Sequence, residues 1–139
     1  SEVLDSLFGL DIREMDEVLK AELETGGHLD MSKLREKYGD ELIWYAPNGG
    51  QQSPWRLILE AVDAMNLESG QLVADLGSGI GRLGLMIGLL HPDVSFVGLE
   101  IVGERVKYAN QAVATLGFNN VKFYNVNLFD SQLSLPEAD

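Results

Sequence analysis

The sequence predicts an α/β fold: a parallel, incomplete sheet with its strands in the spatial order 3-2-1, preceded by an N-terminal helical segment. Three observations predict it. From Gln71 onward, short apolar runs ("QLVADLG", "VSFVGLE", "NVKFYNVN") alternate with stretches of helical spacing, the pattern of a βαβαβ series. A glycine-rich stretch, "GSGIG", joins the first apolar run to the helix that follows it. Before about residue 50 the chain shows helical spacing and no strand pattern.

Residues 1–50 form the predicted helical segment. Asp11 stands where it would cap a helix with apolar residues Ile12, Met15, Leu19 and Leu23, and Gly26-Gly27 stops it. A second short helix is expected from Met31 to Tyr38, with Gly39 as its terminator, and "YAPNGGQQSPW" collects turn-formers. Residues 51–139 form the second unit. Its first helix is expected to take Ser53 as N-cap and Pro54 as first helical residue, with a stripe of Ile58, Ala61, Val62 and Met65. After the first strand, Gly81 to Leu90 reads as a helix ended by His91-Pro92. A second helix runs from Gly103 to Leu116, buries Val106, Ala109, Ala112, Val113 and Leu116, and ends at Gly117. Parallel pairing with right-handed crossovers puts the first strand innermost. The other side of that strand would be left open, so a partner or a missing segment is expected to complete the sheet.

Composition narrows the chemistry. The 139 residues include no Cys, which excludes disulfides and thiolate metal sites, and the two His, His28 and His91, are far apart, so no metal site is assigned. No stretch approaches a membrane span and the acidic N-terminus is unlike a signal peptide, so the expected location is the cytoplasm. The formal net charge is −12, from 22 acidic and 10 basic residues. That balance disfavours a nucleic-acid partner, which needs Lys and Arg against phosphate, and suits a basic protein or a small molecule.

"VADLGSGIGRLG", Val73 to Gly84, carries two overlapping glycine patterns. Read from Asp75 it is D-x-G-x-G-x-G, with Gly77, Gly79 and Gly81; read from Gly79 it is G-x-G-x-x-G, ending at Gly84. The second frame suits a dinucleotide, whose pyrophosphate sits on a helix N-terminus. The first suits S-adenosylmethionine (SAM), which has no phosphate and carries a sulfonium and an ammonium group. Asp75 discriminates: a carboxylate there repels a pyrophosphate and attracts an ammonium. The dinucleotide frame also requires the strand to run on through Gly77-Ser78, which are poor strand residues. Gly84 then becomes a small position inside the helix, where the helix packs close to the sheet. Glu100, at the end of the second strand, can accept hydrogen bonds from both ribose hydroxyls; Ile101 beside it can pack on an adenine face. Asn127 and Leu128, after the third strand, are placed to meet the base. Arg82 reads either as a partner for SAM's carboxylate or as a solvated side chain, and Trp44 and Trp55 read as core.

"VADLGSGIG", "GLE" and "VKFYNVNLFD" together resemble the first half of a class I (Rossmann-like) SAM-dependent methyltransferase, over residues 54–139. The resemblance implies a methyl transfer from SAM to an unidentified acceptor. It assigns Asp75, Gly77 and Gly79 to the methionine end, Glu100 to the ribose, and Asn127 with Leu128 to adenine; Ser78, Gly81 and Ile101 complete the expected cofactor-binding set. The family more often has Asp where this chain has Asn127. "DLGSGIGRLGL" with "GLE" also resembles the histone-lysine methyltransferases built on this fold, which adds a protein lysine to the candidate acceptors. No catalytic residue is assigned. An NAD(P)-dependent oxidoreductase, a non-catalytic SAM-binding module and an aminopropyl transferase are the alternatives.

Overall fold

In the computed structural model, which describes residues 2–10, 53–128 and 138, seven elements follow one another along the chain. They are α1 (Glu2–Leu7), α2 (Trp55–Ala64), β1 (Leu72–Leu76), α3 (Arg82–Leu90), β2 (Ser95–Glu100), α4 (Gly103–Leu116) and β3 (Val121–Asn125). The sheet order is β1-β2-β3, parallel throughout, as the alternation of apolar runs implies. Asp75 pairs with Gly98, and Gly98 with Phe123. Among the described residues β1 pairs only with β2. The helices expected at Asp11 and at Met31–Tyr38, and Trp44, lie outside the described residues.

The helices pack where their apolar spacing puts them. On α4, Val106, Ala109, Ala112 and Val113 are buried and Leu116 packs against the core, while Gly117 closes the helix with φ 70°. On α2 the buried stripe is Trp55, Ile58 and Val62; Met65 is largely exposed. The stripe thus begins one turn earlier than the expected set, because Trp55 supplies the first inward position. Pro54, at φ −58° and ψ 144°, occupies the capping position rather than the first helical one, and no side chain caps this helix. Ser53 instead lends its backbone carbonyl to Arg82 Nη1 at 3.0 Å.

α1 precedes the first helix expected from the sequence. Phe8 and Leu10, just after it, join the same core as α2 and α3, and Phe8 stacks on Trp55 with ring centroids 4.9 Å apart. Three asparagine side chains tie the loops. Asn110 on α4 accepts from the Phe123 N–H and donates to the Phe123 carbonyl, so the free edge of β3 is met by an amide. Asn120 holds the carbonyls of His91 and Val94, and Asn125 those of Glu100 and Ile101.

α3 lies close to the sheet. A Cβ added at Gly84 would stand 2.7 Å from Phe96 Cδ1 and 2.8 Å from Phe123 Cζ. The expected small position inside the helix is therefore a point of contact with two rings. Gly84→Ala should overpack this point and cost about 1–3 kcal/mol, read as a lower urea midpoint with an unchanged slope.

Candidate functional site

The candidate site is built at the carboxyl ends of β1 and β2. β1 ends at Leu76, the last apolar residue of its run, and the chain turns at once. Gly77, Gly79 and Gly81 have φ of 88°, 55° and 89°, a left-handed conformation that side-chain-bearing residues rarely adopt. Gly84 sits inside α3 with no such φ. The backbone therefore follows the frame that starts at Asp75, and the frame that needs β1 to continue through Ser78 is not the one the chain folds in.

The turn is fixed by hydrogen bonds from β2. The N–H groups of Gly77 and Ser78 both donate to the Leu99 carbonyl, at 2.8 and 3.0 Å. The Gly79 N–H donates to Glu100 Oε2 at 2.9 Å, and the Gly81 N–H to the Ser78 carbonyl at 2.9 Å. A Cβ at Gly77 would meet nothing within 4 Å, so the outer side of the turn is open. Ser78 faces the other way: its hydroxyl is buried, finds no hydrogen-bond partner, and lies 2.8 Å from where a Cβ on Gly98 would stand. Any contact of Ser78 with a ligand would thus come from its backbone.

Glu100 is only 5 % exposed. Its Oε1 accepts the Val102 N–H at 2.9 Å and lies 3.8 Å from Arg105 Nη1. The carboxylate therefore joins the glycine turn to the start of α4. Each carboxylate oxygen has two lone-pair directions, so one amide on each leaves acceptor capacity for a diol. Asp75 is half-buried. Loss of hydration and the negative charge of Glu100, in that order, hold its carboxyl above the ordinary value of 3.8. A cation between these strand ends would offset both effects, and a phosphate would aggravate them. The two carboxylate acceptors thus fit a ligand with a cationic group and a ribose, as SAM has.

The remaining expected contacts occupy the same end of the sheet. Ile101 is half-buried, with its carbonyl accepting from Asn125 Nδ2 at 2.8 Å. The Val126 N–H donates to the Glu100 carbonyl at 2.9 Å, which brings the chain of Asn127 and Leu128 past the end of β2. Arg82 meets neither expectation. Its side chain is buried and bound to Asp5, with Nη2 to Oδ2 at 2.8 Å, so it is neither solvated nor free for a ligand carboxylate. The sequence holds no local signal for this pair, whose members are 77 residues apart. Asn125 was also missed as a support for the Glu100–Ile101 backbone, although an Asn ending a strand is a common loop-former.

Known proteins bear on this geometry. A family model described as "Putative methyltransferase" matches residues 69–135. Ribosomal RNA small subunit methyltransferase G of Leifsonia xyli subsp. xyli is 39% identical over 80 residues, 58% of this chain and 38% of that protein. The protein of that name from Clavibacter sepedonicus is 34% identical over 102 residues, 72% of this chain and 48% of that protein. The chain thus spans half or less of these curated relatives. An RNA methyltransferase from Salinibacter ruber, crystallised with S-adenosylhomocysteine, superposes with a TM-score of 0.53 at 26% identity, covering 58% of this chain and 52% of that one. The family match spans the turn after β1 and all three strands, and in sequence and in backbone the chain is similar to class I SAM-dependent methyltransferases.

Proposed function

We propose that residues 51–139 hold SAM for transfer of its methyl group to RNA, with ribosomal small-subunit RNA as the first acceptor to test. The observation that carries the SAM site is the pair of carboxylates, Asp75 and Glu100, at the ends of adjacent strands on either side of an open glycine turn. Asp75 would attract the ammonium group, directly or through water, and Gly77, Gly79 and Gly81 would let the backbone approach the methionine end. Glu100 would accept from the ribose hydroxyls. Ile101 would pack on the adenine, with the Asn127 amide and the Leu128 N–H at its edge. SAM supplies an electrophilic methyl group. The chain's own part is to hold that group in line for an acceptor, and positioning of this kind is a large share of a bimolecular rate.

The acceptor rests on the relatives, which are named as ribosomal RNA methyltransferases, and on the RNA methyltransferase of similar backbone. They favour RNA over the protein lysine or small molecule suggested by the acidic balance. That balance is the sum over a chain whose match spans only 48% of such a relative, so it is weak evidence about the surface that would meet the acceptor. An RNA acceptor is consistent with the cytoplasm, and among the described residues no helix is long and apolar enough to cross a membrane. Incubation of the complete protein with methyl-labelled SAM and ribosomal subunits from cells lacking it should label the small-subunit RNA. Label in protein, with none in RNA, would reject RNA as the acceptor.

Asp75 makes two further predictions. Because its carboxyl binds a proton more tightly in the folded chain than in the unfolded one, its contribution to stability is greatest below pH 3.8. It falls as pH rises through the raised value. Asp75→Asn should therefore make the ligand-free protein more stable at pH 7 and flatten this part of the pH dependence, as measured by urea unfolding across pH 4–8. The same substitution should weaken SAM binding by about tenfold to a hundredfold, the loss of one charge-assisted contact. Glu100→Gln, which keeps an acceptor for one of the two amides, should weaken SAM by a similar factor in calorimetry. Unchanged affinity in both variants would remove these two residues from the site.

A further inference from the structure

Arg82 is the first residue of α3 and directly follows the last turn glycine, and four hydrogen bonds hold its guanidinium inside the protein. Nε donates to Asp5 Oδ1 at 3.0 Å, Nη2 to both Asp5 oxygens at 2.8 Å, and Nη1 to the Ser53 carbonyl. Trp55 Nε1 also donates to Asp5 Oδ1, at 3.0 Å, and the Trp55 ring lies 5.2 Å from the Arg82 guanidinium carbon. Both charged side chains are less than a tenth exposed. Burying two charges costs several kcal/mol for each ion, offset only when the geometry and hydrogen bonding are good; apolar side chains often give as much stability. The distinctive property of such a pair is a fixed geometry.

The other anchors of the turn come from β2 and β3. Leu99 takes the amides of Gly77 and Ser78, Glu100 takes that of Gly79, and the Phe123 ring lies against Gly81. Arg82 adds an anchor from outside the sheet, the N-terminal segment. α1 has six residues, too few to be a stable helix alone, so it is held by docking: Asp5 on Arg82 and Phe8 on Trp55.

We propose that Asp5 is a positioning residue for SAM. Through Arg82 it fixes the start of α3, and with it the glycine turn on which the methionine end of SAM would lie. The inference rests on the SAM reading of that turn. It makes docking of residues 2–10 and binding at the turn mutually dependent, since a coupling between two events acts equally in both directions.

The test compares the full chain with Asp5→Asn and with the double variant Asp5→Leu/Arg82→Met, which keeps apolar bulk in place of both charges should the single variant not fold. Two readouts are needed: amide hydrogen exchange without ligand, and calorimetry with S-adenosylhomocysteine and with methylthioadenosine, which lacks the amino-acid end. In a folded variant, exchange at Gly79, Gly81 and Arg82 should accelerate while the interiors of β2 and β3 keep their protection. The S-adenosylhomocysteine Kd should rise about tenfold, with methylthioadenosine changed by less than about twofold. Unchanged exchange at the turn overturns the proposal, and so does an equal loss for both ligands, which marks a general loosening. Absence of S-adenosylhomocysteine binding in the unaltered protein would instead count against the SAM reading, and the exchange data would still decide whether Asp5 orders the turn.

Discussion

The site depends on how closely α3 approaches the sheet around one aromatic ring. Phe123 stands in β3, and a Cβ at Gly81, Gly84 or Gly98 would come within 3 Å of it. Those three positions lie in the turn, the helix and the neighbouring strand. With no side chain at any of them, the helix settles onto the ring and its first turn arrives at the ends of β1 and β2. Interiors are packed at crystal-like density, so a methyl group at any of these points has nowhere to go without displacing a ring or the backbone. The glycines of this stretch thus divide into two sets. Gly77 faces open space and Gly84 faces the core, while Gly81 serves both needs, a left-handed backbone and contact with Phe123.

On that frame the two strand-end carboxylates have different environments. Glu100 is almost fully buried but takes an amide hydrogen on each oxygen. It is a structural member of the turn as well as a candidate for the ribose. Asp75 carries the cost of partial burial and of the neighbouring negative charge. An interaction that is unfavourable in the free protein and relieved by a cationic ligand is a source of specificity. Within the net charge of −12, these two carboxylates are set apart by their place at one end of the sheet.

Much of this was legible in the sequence because it is local. Strand and helix periods, the residues buried on α4, the end of β1 at Leu76 and the small position at Gly84 follow from spacing and from the conformational range of glycine. The environment of Arg82 was not legible. Its partner is Asp5, and nothing near either residue encodes a pairing across so long a separation. Ser53 looked like an N-cap by residue type, but tertiary contact with Arg82 uses its carbonyl and the helix starts at Trp55. The acceptor is not legible in the charge balance either, because net charge sums over the whole chain and carries no information about which surface would meet a substrate.

The central claim is that the turn after β1 holds SAM and not a dinucleotide. Titration calorimetry of the full chain with S-adenosylhomocysteine and, separately, with NADH tests it most directly. The arrangement of Asp75, Glu100 and the glycine turn predicts saturable heat with S-adenosylhomocysteine and none with NADH. Saturable binding of NADH, with no heat from S-adenosylhomocysteine, would contradict it.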